Sequence, residues 1–218
     1  MTPQYPRSDE RRRMVEQQIE ARGITDPRVL AAMRDMPRHL FVPPPCDRDA
    51  YADTPLPIGN GQTISQPYIV ALMTALLHPE VTDTVLEIGA GSGYQAAILS
   101  ALVRKVITIE RIEEVAARAK ANLAAVHADN VKIVVGDGTL GYPPAAPYNG
   151  IVITAATPEI PAPLKTQLAE CGRLIVPVGD RTLQELVVLE RHGDRFAEER
   201  HGGVRFVPLI GEHGWEEN

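Results

Sequence analysis

The sequence of 218 residues contains only two cysteines, Cys46 and Cys171, which stand far apart and form no C-x-x-C pair. We therefore expect reduced thiols and no disulfide framework. Its six histidines include no two that are spaced three or four residues apart. Because metal ligands on a helix need such spacing, no metal site is predicted.

Long apolar runs are also missing. A membrane helix needs about 20 apolar residues in a row, and a signal peptide needs an apolar core, so we expect a cytoplasmic protein without a membrane partner. Positive charge is scarce as well, since the net charge is −6. Nucleic-acid phosphates attract clustered Lys and Arg, so no nucleic-acid partner is expected.

The length suits one α/β domain with a modest extension. Residues 1–57 are predicted to form that extension, with helices over residues 9–22 and 28–35 followed by a proline-rich segment. Prolines at this density stiffen the chain, so we expect a strap packed on the main domain rather than a flexible linker. Residues 58–218 then form the ligand-binding domain, which we expect to be monomeric. This part begins with a loop rich in glycine and hydroxyl groups, followed by a helix over residues 67–77.

Residues 85–94 read Val-Leu-Glu-Ile-Gly-Ala-Gly-Ser-Gly-Tyr and form the centre of the predicted domain. An apolar strand is followed by Gly89, Gly91 and Gly93 and then by a helix-forming run, a pattern typical of a nucleotide-like cofactor site. A dinucleotide fingerprint has glycine where Tyr94 stands. The spacing therefore disfavours a diphosphate ligand.

Strands are predicted at residues 85–88, 106–110, 131–135, 151–154 and 173–178, with helices at 94–102, 112–126 and 163–170. This alternation indicates a parallel sheet whose ligands lie at the carboxyl ends of its strands. Glu110 ends one strand, where it can accept both ribose hydroxyls. Asp137 follows the next strand, where it can meet an adenine amino group. Short strands at 184–190, 195–201 and 204–208 predict an antiparallel finish.

These glycines and the two carboxylates resemble those of class I S-adenosylmethionine-dependent methyltransferases. Further runs resemble the protein-L-isoaspartate O-methyltransferase family, over about residues 11–215; they are residues 61–67 (Gly-Gln-Thr-Ile-Ser-Gln-Pro), 147–156, 173–179 and 204–209. The resemblance implies an α/β, doubly wound, mostly parallel Rossmann-like sheet with an N-terminal helical extension and antiparallel C-terminal strands. Residues 58–218 would be the S-adenosylmethionine-binding catalytic domain.

The resemblance implies methylation of the α-carboxyl of L-isoaspartyl residues in damaged proteins and peptides. S-adenosyl-L-methionine would supply the methyl group and leave as S-adenosyl-L-homocysteine, and the ester would return to aspartyl through a succinimide. A carboxylate is already ionised at neutral pH, so this reaction needs no general base.

The match to the family also implies roles for single residues. Ser65 would be the active-site residue that orients the substrate carboxylate. The residues implied to contact the cofactor are Thr63, Ile64, Gly89, Gly91, Gly93, Glu110, Asp137, Gly138 and Gln184. Glu87 would either hold the methionine ammonium or fix the glycine loop through backbone N–H groups.

Several alternatives stay open on the sequence alone. Ser65 could simply cap the helix that begins at Pro67, and Thr63 could be a loop hydroxyl without a role. A methyltransferase of a small molecule would need a closed apolar pocket, whereas a protein substrate needs an open cleft. A binder of the adenosyl ligand without turnover, and hydride transfer with a dinucleotide, are more distant readings. Two residues depart from the family pattern: Asn149 stands where Asp is common, and Cys171 where Gly is common.

Overall fold

The computed structural model describes residues 5–217. Its helices are α1 (Ser8–Met14), α2 (Pro27–Asp35), α3 (Pro67–Leu77), α4 (Tyr94–Ser100), α5 (Glu113–Ala125) and α6 (Ala162–Thr166). Its strands are β1 (Leu56–Gly59), β2 (Gln62–Ile64), β3 (Thr84–Ile88), β4 (Lys105–Glu110), β5 (Val131–Val135), β6 (Tyr148–Ile153), β7 (Leu168–Gly179), β8 (Gln184–His192) and β9 (Arg195–Val204). Over this range, no helix is both long and apolar enough to cross a bilayer.

A seven-stranded sheet forms the centre of the described chain, in the order β5-β4-β3-β6-β7-β8-β9. The strands from β5 to β7 pair in parallel, and β8 and β9 continue the sheet antiparallel. The order reverses beside β3, so a crevice opens at the carboxyl end of that strand. The predicted doubly wound fold with an antiparallel finish is confirmed.

Both faces of the sheet are covered. Successive side chains of a strand point to opposite faces, and accordingly Val85 packs in one core cluster while Leu86 packs in the other. Val106 and Ile107 divide in the same way on the next strand. Burial on both faces explains why these strands are continuous apolar runs in the sequence.

The N-terminal extension packs on the cluster that contains Val85. α1 continues through a π-helical segment, Val15–Ile19, and a short 3₁₀ segment, Glu20–Arg22, that ends at Gly23 with φ 92°. Buried residues Met14 and Met33 join this core, and Phe41 contacts Tyr94 edge-on with ring centroids 5.3 Å apart. The division of the chain at residue 57 stays a prediction.

Residues 56–64 form a β-hairpin where the sequence predicted a loop. β1 pairs antiparallel with β2, and Asn60 and Gly61 turn the chain with φ of 52° and 70°. Left-handed conformations at both central residues are what a tight hairpin turn of this kind requires.

Several predicted boundaries were wrong; for example, β6 and β7 begin earlier than predicted, at Tyr148 and Leu168. α6 ends at Thr166 rather than residue 170, because β7 already begins at Leu168. The two glycines at 202 and 203 do not end a strand, since a bulge between the pairs Glu185–Gly203 and Val187–Arg200 lets β9 run on to Val204. Residues 205–208 leave the sheet, and Pro208 makes only an isolated bridge to Ala156.

Candidate active site

The carboxyl ends of β3 and β4 bring the glycine turn against Glu110. One carboxylate oxygen of Glu110 accepts a hydrogen bond from the Gly91 N–H at 3.0 Å, and the other accepts from the Ile112 N–H at 3.0 Å. The side chain is buried. Glu110 therefore stands at the strand end where the sequence placed it, with its carboxylate fixed beside the glycine turn.

The three glycines serve different neighbours. Gly89 has φ 95°, and a Cβ there would lie 2.6 Å from the Thr154 hydroxyl oxygen. That hydroxyl donates to the Gly89 carbonyl oxygen at 2.6 Å, so the turn is tied to the end of β6. Gly93 has φ 87° and packs against Leu123 of α5, where a Cβ would meet Cγ at 3.2 Å. Gly89 and Gly91 line the cavity described next, and Gly93 is not among its lining residues.

Two adjoining cavities form an elongated groove along this edge, which we call the cofactor groove. One is bordered by the hairpin and the glycine turn. The other is bordered by Arg111 and by apolar residues that include Ile112 and Leu209. Both are lined by Gln62, Gly89 and Glu110. The groove thus carries polar groups at its centre and apolar side chains beside polar surface at one end, as an adenosyl ligand needs.

Glu87 is a fully buried carboxyl that faces the first cavity. Within residues 5–217, neither of its carboxyl oxygens has a hydrogen-bond partner of acceptable geometry. Burial raises its pKa from the ordinary 4.5 to about 8, and the nearby Thr108 hydroxyl and Ala96 amide offset this only in part. Neither of these two neighbours is close and aligned enough to satisfy the carboxyl. An unsatisfied carboxyl of this kind is suited to a positively charged ligand group.

Asp137 and Gly138, which were both predicted to contact the cofactor, have different surroundings in the structure. Gly138 lines the apolar end of the groove, and a Cβ on it would collide with Ile88. The Asp137 carboxylate accepts from the Thr139 N–H at 2.8 Å and from the Glu212 N–H at 2.8 Å. Burial opposes its ionisation, but these hydrogen bonds prevail and lower the pKa of Asp137. Asp137 therefore anchors the C-terminal segment over the groove, and its contact with adenine stays a prediction.

The structure does not bring Gln184 to the cofactor groove. Its carboxamide donates to the Asp180 carbonyl and accepts from the Phe206 N–H at 2.9 Å, and the side chain is buried in β8. It is among the lining residues of neither cavity of the groove. Gln184 holds the turn before β8 to the segment after β9, which is a structural task.

Ser65 lies between β2 and α3, where the cofactor groove meets a larger cavity. We call this larger cavity the substrate groove. Four residues line both grooves: Thr63, Ser65, Thr154 and Val207. The N-cap of α3 is Gln66, without a side-chain hydrogen bond, so Ser65 does not cap that helix.

The hairpin that carries Thr63 and Ile64 is fastened to α5. The Asn60 carboxamide accepts from the Arg118 guanidinium at 2.7 Å and donates to the Glu114 carboxylate at 2.8 Å. Thr63 and Ile64 are thereby held over the glycine turn, where both line the cavity and Ile64 is buried. We call these contacts of Asn60 the hairpin latch.

The sequence did not single out Thr154, Val207 or the hairpin latch. Thr154 ends the predicted strand 151–154 at the same edge as Glu110, which was the one available signal. Val207 and Asn60 come from segments far from the glycine motif. No local spacing relates them to it.

The two departures from the family pattern lie at the other end of the sheet. Asn149 accepts a hydrogen bond from the Thr84 N–H at 3.0 Å, which joins the starts of β3 and β6 without needing a charge. Cys171 is exposed and adopts φ 57°, a conformation in which glycine is comfortable. Neither departure touches the grooves.

Comparisons with known proteins agree with this geometry. The family model described as protein-L-isoaspartate(D-aspartate) O-methyltransferase matches residues 9–214. A protein-L-isoaspartate O-methyltransferase of Methanoregula boonei is 72% identical over 216 residues, which cover 99% of this chain and 100% of that protein.

Solved structures show the same fold. A protein-L-isoaspartate O-methyltransferase structure is 29% identical, has a TM-score of 0.83, and is matched over 93% of this chain and 67% of that chain. A Plasmodium falciparum structure described as a putative protein-L-isoaspartate O-methyltransferase in complex with S-adenosyl-L-homocysteine is 24% identical, with a TM-score of 0.81 and coverage of 92% and 98%. On these grounds the chain belongs to the protein-L-isoaspartate(D-aspartate) O-methyltransferase family.

Proposed function

We propose that the chain is an enzyme that methylates the α-carboxyl of L-isoaspartyl residues in damaged proteins and peptides, and so begins their repair. Membership of the family supports the activity. The observation that carries the proposal within the molecule is the meeting of two grooves at Ser65 and Thr154. One groove fits an adenosyl ligand, and the other adjoins it at these residues.

S-adenosyl-L-methionine fits the residues of the cofactor groove. Glu110 would accept the ribose hydroxyls, and the unsatisfied carboxyl of Glu87 would receive the methionine ammonium. Gly138 with Ile112 and Leu209 would surround adenine. When bound, this cofactor supplies a methyl group on a positively charged sulfur.

The chain's own contribution to the reaction is chiefly positioning. The substrate carboxylate is ionised at neutral pH, so its oxygen attacks the methyl carbon without a general base. Ser65 donates a hydrogen bond to one carboxylate oxygen and leaves the other free to react. Holding the reacting atoms about 3 Å apart and in line supplies several kcal/mol of the required acceleration.

Repair then proceeds without the enzyme. The backbone nitrogen that follows the esterified residue attacks the ester carbonyl carbon, methanol leaves, and a succinimide forms. Water then opens the succinimide ring, and part of the product is normal aspartyl.

The form of the substrate groove favours a polypeptide over a small molecule. A small-molecule transferase needs a closed apolar pocket, whereas the walls of this groove are polar and apolar in equal measure. Consecutive residues at the end of β9, including Gly203 and Val204, form one wall. β9 pairs on only one side, and an edge strand can accompany an extended peptide.

We also infer that the enzyme acts as a cytoplasmic monomer, without nucleic acid or membrane as partner. The residues that form both grooves belong to one chain, so a second copy is not needed to complete the site. The net charge of −6 argues against association with phosphate backbones.

Paired peptides that differ only in L-aspartyl or L-isoaspartyl, incubated with methyl-labelled cofactor, test the activity. We expect a base-labile methyl ester on the isoaspartyl peptide alone. Equal labelling of both peptides, or of neither, would contradict the proposal.

The role of Ser65 is tested by Ser65→Ala. A hydrogen bond to a charged group predicts a fall in kcat of about 10- to 100-fold, with cofactor affinity less affected. The matched control is Ser100→Ala, which removes a hydroxyl that bonds only to the Ala97 carbonyl oxygen in α4. If Ser65→Ala kept the wild-type kcat, as Ser100→Ala should, Ser65 would have no part in catalysis.

A further inference from the structure

The substrate groove is positively charged in a protein of net negative charge. Its titratable lining residues are Arg22, His201 and Arg205, together with Tyr68, and no Asp or Glu is found among its described lining residues. The whole chain, by contrast, carries a net charge of −6. A cleft lined by charge of one sign concentrates ligands of the opposite sign.

Arg22 is held in place with part of its guanidinium open. One terminal nitrogen lies 2.9 Å from an Asp53 carboxylate oxygen, and the guanidinium carbon stacks 3.3 Å from the centre of the Tyr68 ring. Asp53 is also engaged by the Gln66 carboxamide and by the Tyr68 N–H, each at 3.2 Å. Because Asp53 is shared among these donors, Arg22 keeps binding capacity for a second anion.

Arg205 faces the groove from the segment that follows β9. Its Nε donates to the Thr182 carbonyl oxygen at 3.1 Å. Its terminal nitrogens make no hydrogen bond or ion pair with any residue from 5 to 217. The guanidinium is thus oriented by the backbone and presents its outer edge to the groove, beside the exposed Leu183.

Neither arginine serves the reacting carboxylate. That carboxylate must lie at Ser65, where the grooves meet, and Arg22 and Arg205 do not line the cofactor groove. Their open edges face the part of the substrate groove that receives the rest of the peptide. A guanidinium edge binds a carboxylate through paired, charge-assisted hydrogen bonds.

We propose that Arg22 and Arg205 make the enzyme select isoaspartyl sites flanked by acidic side chains. This rests on the proposed function, because it concerns the peptide around the residue that is methylated. The two arginines act as specificity-determining residues, and the isoaspartyl residue is recognised elsewhere in the site.

The test uses three isoaspartyl peptides that are identical except for Glu, Gln or Lys on both sides of the isoaspartyl residue. Their termini are acetylated and amidated, so no terminal carboxylate competes. We expect kcat/KM at low salt to be about tenfold higher for the Glu peptide than for the Lys peptide, and the ratio to fall as NaCl is added. In the double variant Arg22→Gln, Arg205→Gln, the ratio should drop to about twofold or less.

Arg195→Gln is the matched control, since Arg195 is exposed at the far end of β9. It should keep the wild-type ratio. A ratio near one in the wild type, or an unchanged ratio in the double variant, would overturn the proposal. If Arg22→Gln slowed all three peptides equally, Arg22 would be a structural residue and its share of the proposal would be lost.

Failure of the proposed function has a different outcome. In that case no isoaspartyl peptide is methylated, whatever its flanks. Equal methylation of all three peptides would refute the flank selection alone.

Discussion

Replacing Glu87 with glutamine removes a buried carboxyl that the folded protein satisfies poorly. Glu87 is fully buried, and both of its carboxyl oxygens lack partners among residues 5–217. Burial raises its pKa to about 8. Because this value is above the ordinary one, the folded protein holds a proton that the unfolded chain releases near pH 4.5. The free energy of unfolding therefore falls as the pH rises from about 4.5 to about 8.

The magnitude follows from the width of that interval. Each pH unit over which the folded state keeps the proton costs about 1.4 kcal/mol. Between pH 5 and pH 8, Glu87 should lower the free energy of unfolding by about 3.5 kcal/mol relative to a side chain that does not ionise. Water beside the carboxylate would reduce this change in the free energy of unfolding, and the smallest change that we expect is about half of it.

Denaturant unfolding at pH 5, 6, 7 and 8 measures the effect as the difference between Glu87→Gln and the wild type. The difference cancels the other titrating groups, including His39, whose pKa is lowered by burial. Glu87→Gln should become increasingly more stable than the wild type as the pH rises. Glu20→Gln, at an exposed position, should show no such trend. Parallel stability curves for Glu87→Gln and the wild type would refute the reasoning.

Cofactor binding gives a second measurement on Glu87. At pH 7 a group with a pKa of about 8 is about nine-tenths protonated. A bound ammonium favours the carboxylate, so binding should release close to one proton. Calorimetry with S-adenosyl-L-homocysteine in two buffers of different ionisation enthalpy detects this release. Glu87→Gln should abolish it and weaken the affinity.

Two further substitutions test the surroundings of the cofactor groove. Asn60→Ala breaks the hairpin latch to Arg118 and should weaken cofactor binding by about fivefold. The fold should lose little stability, since the hydrogen bonds lost are partly exposed. Binding titrations and thermal unfolding measure these effects, and unchanged affinity would contradict the prediction. Gly93→Ala places a side chain at φ 87° against α5 and should lower the free energy of unfolding by about 1 to 3 kcal/mol. Cofactor affinity of the folded Gly93→Ala protein should change less than about twofold, and a larger loss without loss of stability would show that Gly93 contacts the cofactor.

The sheet and one edge of the site could be predicted because their signals are local. Apolar runs of strand length, glycines at residues 89–93 and acidic residues at strand ends follow one another along the sequence. A parallel sheet must then bring Glu110 and Gly138 to the same edge. The physical constraint that links these residues is the geometry of the βαβ unit.

The β1–β2 hairpin has a recognisable turn sequence, but its short, proline-containing strands do not read as strands. Asn60-Gly61 is a strong indicator of a tight hairpin turn. Its flanking strands, however, have only four and three residues and include Pro57. Alternation over so short a span does not distinguish a hairpin from a loop.

The substrate groove could not be predicted, because its walls come from distant parts of the chain. Arg22 and Arg205 are separated by most of the sequence, and only the packing of the N-terminal extension beside the end of β9 brings them to one cavity. Gln184 illustrates the converse case, in which the predicted cofactor contact stays a prediction. The family pattern predicts that Gln184 contacts the cofactor, whereas its buried carboxamide forms hydrogen bonds with the backbone of Asp180 and Phe206.

The limited junction between the two grooves has a kinetic consequence. Apart from the junction around Ser65 and Thr154, different segments line each groove. We therefore expect a random order of binding, in which neither the cofactor nor the polypeptide must bind first.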